Sequence, residues 1–265
     1  MATTKAEKKD GLWENVKTVF WALVIAGVFR TLLFQPFFIP SASMKPTLLI
    51  GDFLFVNKFS YGYSEDSCPF SMCKFIDGRW LGRMPERGDV IVFRHPVDGT
   101  DYIKRLVGLP GDRVQMRQGT LFINGEPAPQ EADGLFVETY ERQGGARNFP
   151  ACSNGAVGEG GVCEKEMFRE TLPGDVASHA VLNIADDRPL DTTPVYTVPA
   201  GHFFFVGDNR DNSNDSRVPR AAGGIGFVPY ENLLGRVDRV IFSAEGRSLL
   251  FFWTWRLDRF FEPVR

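Results

Sequence analysis

The chain opens polar, with Lys5, Lys8 and Lys9, and then turns apolar over Val19–Phe29 (VFWALVIAGVF). Arg30 interrupts the run, and Leu32, Leu33 and Phe34 resume it. The strict run is too short to cross a bilayer. Taken over 13–35, the stretch reaches the ~20 residues a spanning helix needs, with Lys17 and Arg30 reaching to opposite interfaces. An anchor over 13–35 would leave 1–12 in the cytoplasm and the rest of the chain outside it. The same pattern also reads as a cleavable secretory signal ending near Ser41-Ala42-Ser43. A third reading is a core helix, against which Pro36 stands, because helices tend to stop before a proline.

Beyond residue 36 the pattern shortens to β-type runs bounded by Gly, Pro and Asp. These are 52–58, 89–93, 102–107, 121–123, 195–198, 202–206 and 237–242. Asn124-Gly125 after Leu121–Ile123 predicts a tight hairpin. No long amphipathic helix follows, so the pattern predicts a mostly β, barrel-like domain. Its two halves, 36–124 and 201–248, flank a Gly-, Pro- and Glu-rich insert over 125–200 whose periodicity is poor. The segment 249–265 is crowded with aromatics and reads as an interfacial membrane segment or as an element that closes the core.

Composition adds three points. The 265 residues allow one large domain or two small ones. A formal charge of −3 gives no global attraction to nucleic acid, so none is expected as a partner. The 24 phenylalanines hint at a membrane-facing or peptide-binding surface, although on composition alone an ordinary core accounts for them better. The four cysteines lie in loop-like stretches, and Cys68–Cys73 and Cys152–Cys163 form plausible local disulfides among three connectivities. No metal site is expected, as there is no CxxC and no neighbouring His. No cofactor motif appears.

Three places carry candidate chemistry. Ser43 lies in Pro40-Ser-Ala-Ser-Met-Lys-Pro-Thr-Leu48, where prolines on both sides fix the backbone. Lys104, in Tyr102-Ile-Lys-Arg-Leu-Val107, shares a strand face with Tyr102 and Leu106. Burial there would lower its pKa and free a neutral amine to take a proton from a serine hydroxyl. Gly207–Arg217 (GDNRDNSNDSR) is dense in short polar groups. It fails as a calcium loop, because Ser216 and Ala222 stand where Gly and Glu are needed, and it better suits the orientation of a buried polar side chain. A Ser-His-Asp triad would have to draw on His95, His179 or His202, and none lies near a G-x-S-x-G elbow.

Together these segments resemble the bacterial type I signal peptidases, or leader peptidases. Pro40–Leu48 is similar to the family's nucleophile box and Gly51–Gly62 to the strand box after it. Arg87–Phe93 with Asp101–Asp112 is similar to the lysine box, and Gly207–Arg217 to its GDNRDNSxDSR box. The resemblance covers 37–124 and 201–240, and leaves the insert and the C-terminal segment uncovered. Ala42 stands where many members have Gly, and one predicted spanning segment replaces the two of some members. Lys at 104 separates the chain from the endoplasmic-reticulum branch, which uses His.

The resemblance implies a membrane-anchored, β-barrel-like catalytic core of the signal-peptidase type, with a loop-rich β insert and one N-terminal transmembrane helix. It implies a serine endopeptidase that removes signal peptides from exported preproteins after Ala-x-Ala-type sites, without a cofactor. Ser43 would be the nucleophile and Lys104 the general base. Ser41 Oγ and the Ser43 N–H would form the oxyanion hole. Ser213 would orient the amine, supported by Asp211, Asp215 and Arg217. Phe37, Ile39, Pro40, Leu48, Tyr102 and Ile103 would shape shallow pockets for small residues. The implied partners are preprotein signal peptides and the phospholipid bilayer. The implied site is the bacterial inner membrane, with the N-terminus cytoplasmic and the catalytic domain on the periplasmic or outer face. Rival readings are an anchored β domain that binds peptides without cutting them, a specialised pilin- or conjugation-type peptidase, and a soluble self-cleaving repressor. The last lacks a DNA-binding module.

Overall fold

The computed structural model describes residues 7–32, 34–64, 78–144, 147–174, 177–245 and 251–264. Helix α1 spans Glu7–Leu32, about 39 Å of rise. It begins before and ends earlier than the 13–35 segment, because Phe34 and Gln35 already belong to a strand. Its Trp13, Phe20, Trp21, Leu23 and Ile25 are more than half exposed. Among the described residues, no helix is long and apolar enough to cross a membrane.

The strands in chain order are β1 (Phe34–Phe38), β2 (Asp52–Asn57), β3 (Val90–Arg94), β4 (Asp101–Gly108), β5 (Arg113–Arg117), β6 (Thr120–Ile123) and β7 (Glu126–Pro127). They continue with β8 (Gln130–Thr139), β9 (Val162–Glu170), β10 (His179–Asn183), β11 (Tyr196–Thr197), β12 (His202–Val206), β13 (Val228–Pro229) and β14 (Leu233–Ser243). They form an antiparallel seven-stranded sheet in the order β1-β2-β14-β3-β4-β12-β13. A second sheet runs β11-β5-β6-β7 and a third β10-β9-β8.

The large sheet is curled. Four strand spacings separate β1 from β4, about 19 Å in a flat sheet, yet residues of both line one cleft. The curl is located in β14, whose register shifts three times, against β2 and against β3. Shifts of this kind bend a strand and sharpen its twist. Ile39, Leu48, Leu54, Val56, Val92, Leu234 and Val240 fill the concave face. The other face, with Phe93, Phe203, Phe205 and Leu233, packs under the segment 225–230. Asn124-Gly125 turns β6 into β7 with both residues at positive φ, the hairpin geometry that the dipeptide favours.

The insert 125–200 is more ordered than its composition suggests. β8 and β9 are long paired strands. Hydropathy does not reveal them, because several of their inward side chains are charged: Lys165 and Glu170 are buried and Glu138 nearly so. Cys152 and Cys163 are bonded across this region, while Cys68 and Cys73 lie outside the described residues. Among its described residues the C-terminal segment forms two 3₁₀ turns, Phe252–Thr254 and Leu257–Arg259, in place of a strand or an α-helix. Arg256 and Arg259 fasten it to buried Asp52. They also donate to the carbonyls of Ile50 and Thr47, so the segment braces the 41–52 turn.

Candidate active site

Two strand edges frame the cleft. β1 is the outermost strand of the sheet. β12 pairs only with the Arg105–Gly108 half of β4, which leaves Asp101–Lys104 uncovered on that side. The cleft encloses about 450 Å³ between these edges. Phe37, Ile39, Val92 and Ile103 form a floor continuous with the apolar core.

Ser43 stands at one end, in a turn held by Lys45 N–H donating to the Ala42 carbonyl and Leu48 N–H to the Met44 carbonyl. The Gly207–Arg217 loop holds this turn from the other side: Asn209 donates its backbone N–H to the Ser43 carbonyl and its side-chain amide to the Ala42 carbonyl. Among the described residues, no acceptor takes the Ser43 N–H. Ser41 Oγ lies 3.5 Å from Ser43 Oγ.

Lys104 reaches Ser43 from β4. Its Nζ is 2.5 Å from Ser43 Oγ and donates to the Ile103 carbonyl at 2.9 Å. The side chain is 3% exposed. Burial lowers its pKa to about 8, against the pull of Asp215 and Asp208 and with the help of Arg217. A neutral amine at this distance is able to accept the hydroxyl proton.

A buried ionic framework surrounds the pair. Arg105 forks onto Asp208, which also accepts from Thr47 Oγ1 at 2.5 Å. Arg217 forks onto Asp215, which takes the Gly207 N–H, and donates to the Arg210 carbonyl at 2.6 Å. Arg210 in turn pairs with Glu170 of β9. Burial would push such carboxyls up, yet their arginines hold Asp208, Asp215 and Glu170 below the usual carboxylate range.

Some expected residues fall elsewhere. Ser213 Oγ helps keep the neighbouring Asp215 ionised but has no partner at full hydrogen-bond geometry, and the hydrogen bonds of the Lys104 amine go to Ser43 and Ile103. Asp211 turns away from the amine and accepts the N–H groups of Ile184 and Ala185 at the end of β10. Leu48 is fully buried beneath the cleft, in the core, rather than lining it. Phe37, Ile39, Pro40, Tyr102 and Ile103 do line it. No histidine is hydrogen-bonded to Ser43 or Lys104 among the described residues. His95 packs at a tilt against Tyr102, His179 lies buried 3.4 Å from Glu170, and His202 faces the Ala200 carbonyl. None lines the cleft.

Other members of the framework escape sequence reasoning. Arg105 and Asp208 sit inside polar motifs and carry no separate signal. Lys45 is 4% exposed and pairs with Glu138 from the insert, a contact no local pattern foretells.

A serine hydroxyl with a buried amine for a partner, set beside open strand edges, is the equipment of a serine-type hydrolase acting on extended peptides. The family model for signal peptidase, peptidase S26, matches residues 12–242. The signal peptidase I of Rickettsia typhi is 38% identical over 232 residues, covering 85% of this chain and 78% of that protein. That of Rickettsia prowazekii is 39% identical with the same coverage. The crystal structure of a signal peptidase I from Enterococcus faecalis aligns at 27% identity over 58% of this chain and 97% of that one, with a TM-score of 0.30. The chain belongs to the signal peptidase family, peptidase S26, and is a serine peptidase.

Proposed function

We propose that this peptidase removes N-terminal signal peptides from exported preproteins, cutting after Ala-x-Ala-type sites, with Ser43 as nucleophile and Lys104 as general base. The observation that carries the reading is the 2.5 Å approach of a buried lysine amine to Ser43 Oγ in a cleft open along two strand edges. An extended preprotein segment would add to those edges through its backbone. The first and third residues before the cut would face the apolar floor of Phe37, Ile39, Val92 and Ile103, and small side chains are assigned to them.

Neutral Lys104 takes the proton of Ser43 as Oγ attacks the scissile carbonyl carbon. The resulting oxyanion is met by the Ser43 N–H and Ser41 Oγ–H, each such donor being worth a few kcal/mol. The Lys104 ammonium then protonates the departing amine, leaving an ester on Ser43. Water, deprotonated by Lys104, hydrolyses that ester. Arg105–Asp208 and Arg217–Asp215 keep the amine and the Gly207–Arg217 loop in place.

The exposed apolar residues of α1, flanked by Lys17 and Arg30, support a single-pass anchor with the N-terminus cytoplasmic and the catalytic core on the outer face of the bacterial inner membrane. Exposed Phe251, Phe252, Trp253, Leu257 and Phe261 support contact of the C-terminal segment with the lipid surface.

The test is incubation of the purified full chain, in detergent micelles, with a preprotein carrying an Ala-x-Ala site, followed by N-terminal sequencing of the product. Cleavage at that site by wild type and none by Ser43→Ala is expected. An intact preprotein with wild type, or equal cleavage by Ser43→Ala, overturns the reading.

A further inference from the structure

The family motifs account for the floor and the nucleophile end of the cleft but leave one wall unassigned. That wall is the far end of the inserted β8–β9 hairpin: Gln143, Asn148, Phe149 and Pro150 line the same cleft as Ser43 and Lys104. We infer, resting on the peptidase reading above, that this hairpin end reads the second residue before the cut, with Phe149 as the specificity-determining side chain.

Successive side chains of an extended strand point to opposite faces. A peptide laid along β1 and β4 that turns its first and third residues to the floor must turn its second residue away from it. The wall away from the floor is the hairpin end. It lies close on the segment that leads from β1 to Ser43, since a methyl group added at Gly144 would run into the Pro40 carbonyl oxygen.

Side-chain contacts tie the wall to the nucleophile turn. Phe149 stacks on Tyr140 at 4.7 Å between ring centres, with the Arg142 guanidinium 4.8 Å from its own ring. Gln143 bridges to Asn148. The Gln143 side chain accepts from Lys45 Nζ at 2.7 Å and donates to Glu138 at 2.8 Å. Glu138 takes the ammonium groups of both Lys45 and Lys165. Lys45 is two residues from Ser43, so this buried cluster ties the hairpin directly to the catalytic turn. The Gln143 amide is thereby engaged, and Phe149 and Pro150, with the Asn148 side chain beside them, supply the surface a substrate meets. Uncharged and led by the Phe149 ring, that surface favours an apolar second residue over an acidic one.

The test uses the full chain in detergent and a set of preprotein substrates that differ at one residue only: Leu, Ala or Asp at the second position, and Ala or Ser at the first and third. Wild type is expected to prefer Leu over Asp at the second position. In Phe149→Ala that ratio of kcat/KM should fall about tenfold, the scale at which apolar pockets discriminate, with first- and third-position ratios unchanged. Phe149→Leu, which keeps the packing against Tyr140, should fall between. An unchanged second-position ratio in Phe149→Ala, or an equal change at the first or third position, overturns the inference alone. A wild type that cuts nothing overturns the peptidase reading and this inference with it.

Discussion

Lys104 is a liability to the fold at the pH where it would work, and that can be measured. Its pKa falls from 10.5 to about 8 through burial, a displacement worth about 3 kcal/mol. Near pH 7 the amine is largely protonated in folded and unfolded chains alike, so the folded state bears the whole penalty. Between about pH 8 and pH 10.5 the unfolded chain binds more protons than the folded one, and stability rises with pH. Lys104→Met keeps the length of the side chain and removes the charge. It also removes the hydrogen bonds to Ser43 Oγ and the Ile103 carbonyl, a loss of about 2 kcal/mol for the two. The net expectation is an inactive protein that is more stable than wild type by about 1 kcal/mol at pH 7. For a chain of this size that is a rise in Tm of about 2–4 °C. The assay is thermal unfolding of both proteins in the same detergent from pH 7 to pH 10. The advantage of the variant should shrink steadily as pH rises. A variant less stable than wild type at pH 7, or a difference that ignores pH, would refute the reasoning.

Other perturbations follow from the same framework. Glu138→Ala leaves Lys45 and Lys165 buried without their anion, which should lower stability by about 3–5 kcal/mol. Adding Lys45→Met and Lys165→Met should recover most of it in denaturant titrations, and failure to recover would show that the carboxylate acts in another way. Gly207→Ala puts a methyl group into Ser213 and the Ser43 carbonyl. By displacing the nucleophile it should reduce kcat about a hundredfold with little change in KM. A kcat within twofold of wild type would show that the turn tolerates the shift.

Much of the core was legible because its strands obey simple alternation. Asp52–Asn57, Val90–Arg94, Asp101–Gly108 and His202–Val206 lie within a residue of the runs read from hydropathy. β1 was not, since Phe34-Gln35 reads as the tail of the helical run. β8 and β9 were not, because Glu138, Lys165 and Glu170 point inward, Glu138 pairing with Lys165 and Glu170 with Arg210, which inverts the usual pattern. Local context singled out Ser43 and Lys104 as a proline-fixed serine and a lysine among apolar strand neighbours, but only the resemblance of the four motifs joined them as a pair. Their 2.5 Å meeting depends on the curl of a seven-stranded sheet, a long-range property no window of sequence contains. Asp211 belonged to the right motif but served a different neighbour. Lys45 lay within the nucleophile motif unnoticed, because its partner is 93 residues away.

The account depends most on Lys104 acting as a neutral base for Ser43, and the pH dependence of kcat/KM tests this directly. Preprotein cleavage by wild type should rise to a plateau with a midpoint near the pKa of about 8 set by burial of the amine. Replacing His95, His179 and His202 should leave that midpoint in place in the purified, folded protein. A midpoint near the ordinary histidine value of about 6.5, abolished by the histidine replacements, would contradict the lysine mechanism.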